Sequence, residues 1–168
     1  MSLTGLRLSY SILTELYRRS LVSLDTEPIL PANDATKISY LGGNSKNITV
    51  IIADQLHAFL AEDQLSFLVK MLGACQLNIG DVAIVNHART PILFADLTLQ
   101  FKPSFILLLG VSPSAIGMTD NDRLFKVQPF DGGVFVQAPS LQELNSNAED
   151  AKPFKTKLWA CLKELFSI

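Results

Sequence analysis

The run ITVII, at Ile48–Ile52, is followed by Ala53 and Asp54 and predicts a β-strand. Its residues are all β-branched, and a short strand with no polar alternation is typical of a parallel sheet buried on both faces. Three further apolar runs follow it, and segments with helical periodicity separate them. The four predicted strands are Ile48–Ile52, Asp81–Val85, Phe105–Leu109 and Val134–Val136.

The segments between and after these strands predict helices. Apolar residues recur at helical spacing over His57–Leu72 and over Asp150–Phe166. Weaker patterns predict short helices at Ala95–Gln100 and Pro113–Met118, and an edge strand at Leu124–Val127. Strands that alternate with helices indicate an α/β fold. We therefore expect a three-layer αβα sandwich whose central sheet is mostly parallel and has four or five strands.

Composition favours one globular domain. The chain has 168 residues, of which 48% are hydrophobic and 18% charged, so it can bury a substantial core without disulfides or metals. Its two cysteines, Cys75 and Cys161, lie in helical patterns without a second ligand at metal spacing. We expect reduced, buried thiols in an intracellular protein, with no bound metal and no cofactor.

The charge balance argues against tight DNA binding by this chain alone. Fourteen basic and sixteen acidic side chains leave a formal charge of −2, and the densest basic pair is Arg18–Arg19. Nucleic-acid binding needs clustered lysine and arginine, because released counterions supply most of the affinity. No run reaches the roughly 20 apolar residues of a membrane span, so we expect a cytoplasmic protein with no membrane contact.

The N-terminal part of the chain carries its own pattern within a single domain that spans residues 1–168. Residues 3–22 have apolar groups at helical spacing, and residues 25–47 are punctuated by proline, glycine and asparagine. Residues 1–24 are therefore a candidate helical arm. An amphipathic helix on such a connection either docks into a partner or packs on its own sheet, and both interpretations stay open.

Three ordered stretches resemble the uracil-DNA glycosylase superfamily. Phe67–Arg89 reads FLVKMLGACQLNIGDVAIVNHAR and is similar to the segment whose strand delivers an asparagine at its end. Lys102–Met118 reads KPSFILLLGVSPSAIGM and is similar to the Lys-Pro strand with its Leu-Gly turn. Val134–Leu165 begins VFVQAPS and is similar to the strand, His-Pro-Ser loop and closing helix with a tryptophan. The resemblance, which spans residues 48–166, implies the glycosylase fold.

The chain departs from that family where the chemistry would lie. Active members carry a Gly-(Glu or Gln)-x-Pro-Gly loop after the first strand, whereas Ala53–His57 here reads ADQLH. The family's histidine, which stabilises the departing uracil anion, is replaced by Ala138, and alanine has no donor. The cysteines of the iron–sulfur members are missing too. The resemblance therefore implies loss of catalysis, with Pro139 and Ser140 kept to shape the loop and cap the last turns.

The other candidates for a vestigial pocket each have two interpretations. Asp54 could act as a base with help from His57, or it could be the N-cap of the helix expected there. Asn86 could bind a pyrimidine edge, or it could satisfy backbone groups of its loop with His87 on the surface. Phe59 could stack on a flipped base, or it could belong to the core side of a helix.

A second resemblance is to the psi subunits of the DNA polymerase III clamp-loader assembly, glycosylase-like proteins without the catalytic loops. It rests on LTELYRRSLV, at Leu13–Val22, and on the closing stretch Ser140–Leu165. It implies a non-catalytic protein-interaction subunit of a replication or repair assembly, with weak or indirect contact to DNA. The alternatives are a degenerate DNA- or nucleobase-binding domain and a glycosylase with altered catalytic residues.

Overall fold

The structure, a computed structural model, describes residues 37–119 and 123–167. The candidate arm at residues 1–24 lies outside this part of the chain. The strands of the described residues are β1 (Leu41–Gly42), β2 (Ile48–Ile52), β3 (Val82–Asn86), β4 (Phe105–Leu109), β5 (Val127–Phe130) and β6 (Gly133–Ala138). The helices are α1 (Glu62–Ala74), α2 (Phe94–Phe101), α3 (Leu141–Asn145) and α4 (Ala151–Phe166).

The α/β class is confirmed, but the sheet has six strands and is mixed rather than mostly parallel. Its order is β1-β3-β2-β4-β6-β5. The four central strands run parallel, with Val50 of β2 opposite Ile84 and Leu107. The edge strands β1 and β5 run antiparallel to their neighbours. A parallel pair needs a connection long enough to carry the chain back to the end of the sheet where the first strand began. Only two residues join β5 to β6, so this pair is antiparallel.

Several element boundaries differ from the sequence predictions. The helix predicted at His57–Leu72 begins at Glu62, and residues 53–61 form an irregular loop. The edge strand predicted at Leu124–Val127 is instead β5, and Leu124 only bridges Gln137 of β6. The strand β1 and the helix α3 were not predicted. Both are too short to show a period of two or 3.6 residues in the sequence.

Two hydrophobic clusters lie on opposite faces of the sheet, because successive side chains of a strand alternate between its faces. Val50 belongs to the first cluster, with Leu68 of α1 and Leu158 of α4. Ile51 belongs to the second cluster, with Leu97 of α2. Within residues 37–119 and 123–167, no helix has both the length and the apolar character needed to cross a membrane.

Candidate functional site

A cleft of about 490 Å³ opens at the carboxyl ends of β2 and β4. These two strands are neighbours in the sheet. The chain that follows β2 forms α1, which packs into the first cluster, whereas the chain that follows β4 places Ile116 in the second cluster. A crevice forms where adjacent strands send the chain to opposite faces, and ligands of open α/β sheets usually bind there. The lining residues are Ile52, Ala53, Asp54, Gln55, Leu56, His57, Leu60, Gln64, Leu109, Ser140, Leu141 and Gln142.

Asn86, at the end of β3, organises the loop between β2 and α1. Its side-chain oxygen accepts hydrogen bonds from the N–H groups of Asp54 and Ala88, both at 3.1 Å. Its Nδ2 donates to the carbonyl oxygens of Asp54, His57 and Ala58 at 2.7, 3.1 and 3.2 Å. The residue is 3% exposed and does not line the cleft. Its amide is thus used to satisfy the loop backbone, the second of the two interpretations considered.

Asp54 and His57 form a pair on the cleft wall. Asp54 Oδ1 accepts from the N–H groups of Leu56 at 2.8 Å and His57 at 3.0 Å. Asp54 Oδ2 lies 3.0 Å from Nδ1 of His57. The expectation that Asp54 caps a helix is wrong, because no helix begins there and the carboxylate caps a turn of the loop instead. The side chain of Asp54 is 11% exposed and that of His57 is 47% exposed. A largely buried carboxylate therefore holds a partly exposed imidazole.

The environment of the Asp54 carboxyl lowers its pKa. Burial taken alone raises that pKa, because it removes water from the charged form. The N–H groups of His57 and Leu56 and the His57 ring outweigh this effect by stabilising the carboxylate. Asp54 is therefore ionised at neutral pH. A carboxylate that orients an imidazole beside an open cleft is an arrangement suited to general-base chemistry.

The other two aromatic candidates do not line the cleft. His87 is half-buried rather than on the surface, and its Nδ1 accepts a hydrogen bond from the N–H of Ile92 at 3.1 Å. Burial lowers the His87 pKa, which favours the neutral ring that can accept this bond. Phe59 is half-buried in the loop before α1, so the helical position predicted for it is wrong.

The segment Ala138–Ser140 joins β6 to α3. Ala138 is 1% exposed, and its carbonyl accepts from the N–H of Gly110 at 3.0 Å. Ser140 Oγ accepts from the N–H of Glu143, whose carboxylate accepts from the N–H of Ser140 at 2.9 Å. This reciprocal pair is a capping box, so Ser140 does cap, but at the start of α3. Pro139 precedes that cap and does not line the cleft, whereas Ser140 does.

The cleft contains residues that the sequence did not single out. The amides of Gln55, Gln64 and Gln142 line it and add both donors and acceptors. Leu56 lies at its rim with 83% of its surface exposed, and its carbonyl accepts from Nη2 of Arg89 at 3.0 Å. Gln55 and Leu56 lie in the loop Ala53–His57, which the resemblance had already marked, whereas Gln64 and Gln142 lie in α1 and α3.

In the part of the chain that the structure describes, no three His, Cys, Asp or Glu side chains are grouped so that they could hold a metal. In comparisons with known proteins, no family model matches the chain and no curated protein matches its sequence.

Proposed function

We propose that this chain is a non-catalytic domain with a three-layer, uracil-DNA-glycosylase-like fold, and that it acts as a protein-interaction subunit of a replication or repair assembly. The position of the segments that resemble the glycosylase loops supports this proposal. Ala53–His57, Asn86 and Ala138–Ser140 all lie at the carboxyl ends of parallel strands. They meet at the edge of the sheet where the resemblance would place a base.

The side chains at these positions argue against base chemistry. The position that would stabilise a departing anion holds the buried methyl group of Ala138, which can donate nothing. The amide that would read a pyrimidine belongs to Asn86, whose oxygen and nitrogen are both engaged by the loop. A base in this cleft would therefore meet neither a leaving-group donor nor a free asparagine.

The exposure of Leu56 on a loop held by hydrogen bonds is the observation that carries the proposal. Burying a leucine side chain in an apolar pocket contributes about 1.5–3 kcal/mol. The backbone on both sides of Leu56 is held by the side chains of Asp54 and Asn86, so binding costs little additional ordering. Leu56 is therefore preorganised to insert into a pocket of a protein partner.

The cleft beside Leu56 suits an extended segment of the same partner. Ile52 and Leu109 supply an apolar floor at the strand ends, where a partner side chain can pack. Gln55 and Gln64 can each donate to a peptide carbonyl and accept from a peptide N–H. The resemblance to psi subunits favours a clamp-loader component as the source of this segment.

Charged substitution of Leu56 tests the proposal. Affinity capture from the native cell, with the full chain as bait, should recover clamp-loader or single-strand-binding components. Leu56→Asp should abolish their recovery and leave thermal unfolding unchanged, because the side chain is exposed. Leu99→Asp, at a leucine 70% exposed on α2, is the matched control and should retain the partners. Equal recovery with both variants would exclude Leu56 as the anchor.

The Asp54–His57 pair favours one second candidate, a glycosylase with altered catalytic residues. In that case His57, held at Nδ1 by the Asp54 carboxylate, would activate water in the cleft. We expect instead that the purified protein releases no uracil above background from single- or double-stranded DNA. Release that is lost in Asp54→Ala would establish the second candidate in place of the first.

A further inference from the structure

One side of α4 carries three lysines and a tryptophan in a row. Lys152, Lys155, Trp159 and Lys163 follow one another at spacings of three, four and four residues. Such spacings place side chains on one side of a helix, and eleven residues of helix extend over about 16 Å. We call these four residues the lysine stripe. It lies on a different surface from the cleft, whose lining contains no residue of α4.

The charge of α4 is opposite in sign to that of the whole chain. The helix contains four lysines and one acidic residue, Glu164, whereas the chain has a formal charge of −2. Among the described residues, no carboxylate forms an ion pair with any lysine of the stripe; the ion pairs found there join Lys46 to Asp81 and His57 to Asp54. The stripe therefore has positive charge available for an acidic partner.

Aromatic rings hold two of the ammonium groups in place. Lys155 Nζ lies 5.2 Å from the ring centre of Phe67, on α1, and Lys163 Nζ lies 5.4 Å from the ring of Trp159. A cation over a ring face is attracted by the ring's quadrupole. Since the side chains are already positioned, a partner that pairs with them loses less rotamer entropy than it would with free lysines.

The same contacts favour a peptide over a nucleic acid. Single-stranded nucleic acids bind by stacking bases on open aromatic faces, whereas a lysine already covers one face of Phe67 and one of Trp159. The helix also contains no arginine, the residue best shaped for bidentate contacts with phosphate. Carboxylates, which can pair with single ammonium groups, match the stripe better.

We propose that the lysine stripe binds an acidic peptide segment of a partner protein. Acidic side chains of the segment pair with Lys152 and Lys155 at one end and with Lys163 at the other. An apolar side chain between them packs beside Trp159, which is partly buried against the first hydrophobic cluster. This interaction is independent of Leu56 and of the cleft, so it goes beyond the function proposed above.

Trp159 permits a direct test, because it is the only tryptophan of the chain. The probe is a short synthetic peptide in which pairs of aspartates flank single phenylalanines, titrated into the full chain at low salt. We expect a saturable change in tryptophan emission, and we expect added salt to weaken binding because the pairs are solvent-exposed. The same peptide with serine in place of phenylalanine should bind more weakly.

Two double variants, each of which removes two positive charges, test whether the peptide binds at the lysine stripe. Lys152→Gln with Lys163→Gln should weaken peptide binding about fivefold or more, since each exposed pair contributes a modest amount. Lys37→Gln with Lys102→Gln, at exposed lysines outside α4, should bind the peptide as the wild type does. Lack of saturable binding, or equal loss in both double variants, would overturn the proposal. Tighter binding of an oligothymidylate than of the peptide would overturn it in favour of single-stranded nucleic acid.

Discussion

At the residue scale, Asp54 distributes its two carboxylate oxygens between two tasks. Oδ1 accepts from two backbone N–H groups of its own loop, and Oδ2 holds the ring of His57. The first task keeps Leu56 in place at the cleft rim, and the second positions the only imidazole that lines the cleft in the described chain. The carboxylate of Asp54 therefore stabilises the conformation of the loop through these hydrogen bonds.

Replacing Asp54 by asparagine keeps an acceptor oxygen and removes the charge. The folded-state pKa of Asp54 is lowered, so its carboxylate adds stability above the unfolded value of about 3.9, and that contribution is lost as the pH falls through the folded-state pKa. The stability lost in Asp54→Asn, measured by urea unfolding, should therefore shrink on acidification from about pH 5 to pH 2. Asp131→Asn, in the exposed β5–β6 turn, is the control. A pH-independent difference for Asp54→Asn would contradict this account.

At the element scale, the end of β4 and the start of α3 meet at Gly110. This glycine has a φ of +72°, and a Cβ built on it would lie 2.8 Å from Cβ of Ser140. Its N–H donates to the carbonyl of Ala138, so the close approach joins the ends of β4 and β6 beside the cleft. A side chain at this position would push α3 away from the strand end.

Alanine substitutions at two glycines should change stability in opposite directions. Gly110→Ala should lower the free energy of unfolding by about 1–3 kcal/mol, because it combines left-handed backbone with a steric clash. Gly73→Ala, near the end of α1, should raise it by about 0.5–1 kcal/mol, since a Cβ there meets nothing within 4 Å. Urea unfolding measures both. Equal effects of the two variants would show that the contact between Gly110 and Ser140 is unimportant.

At the scale of the whole molecule, the sheet separates two hydrophobic clusters that share its strands. Leu68 of α1 lies in the first cluster and Leu97 of α2 in the second, and both are 0% exposed. Val50 and Ile51 are consecutive residues of β2, yet they belong to different clusters. Since the strands between the clusters are common to both, loss of packing on one face should weaken the other.

Leucine-to-alanine variants on the two faces test this coupling. Leu68→Ala and Leu97→Ala should each lower the free energy of unfolding by about 2–5 kcal/mol, whereas the exposed Leu99→Ala should change it by less than about 0.5 kcal/mol. Trp159 reports on the first cluster by fluorescence. In Leu97→Ala its transition should shift together with the circular dichroism signal, as in a two-state unit. Separate transitions would show that the faces unfold independently.

The sequence by itself determined the α/β class, the central strands and the closing helix. Strands buried on both faces consist of apolar or β-branched residues without polar alternation, and ITVII and FILLL show this in a few adjacent residues. The helix at Ala151–Phe166 was predicted because its apolar side repeats over several turns. Ala138 has no hydrogen-bond donor in its side chain, and this follows from the residue type alone, without knowledge of any tertiary contact.

Only the tertiary structure decided how the cleft is built and which strands lie at the edges. Asn86 clamps Asp54 across 32 residues of chain, so no local pattern distinguishes this amide from one that reads a base. The same contacts hold His57 and Ala58 in a loop, although apolar spacing predicted a helix from His57 onward. The glutamines of the cleft come from separate segments and share no spacing. Local periodicity records which face of an element is buried, whereas a site depends on which elements the folded chain brings together.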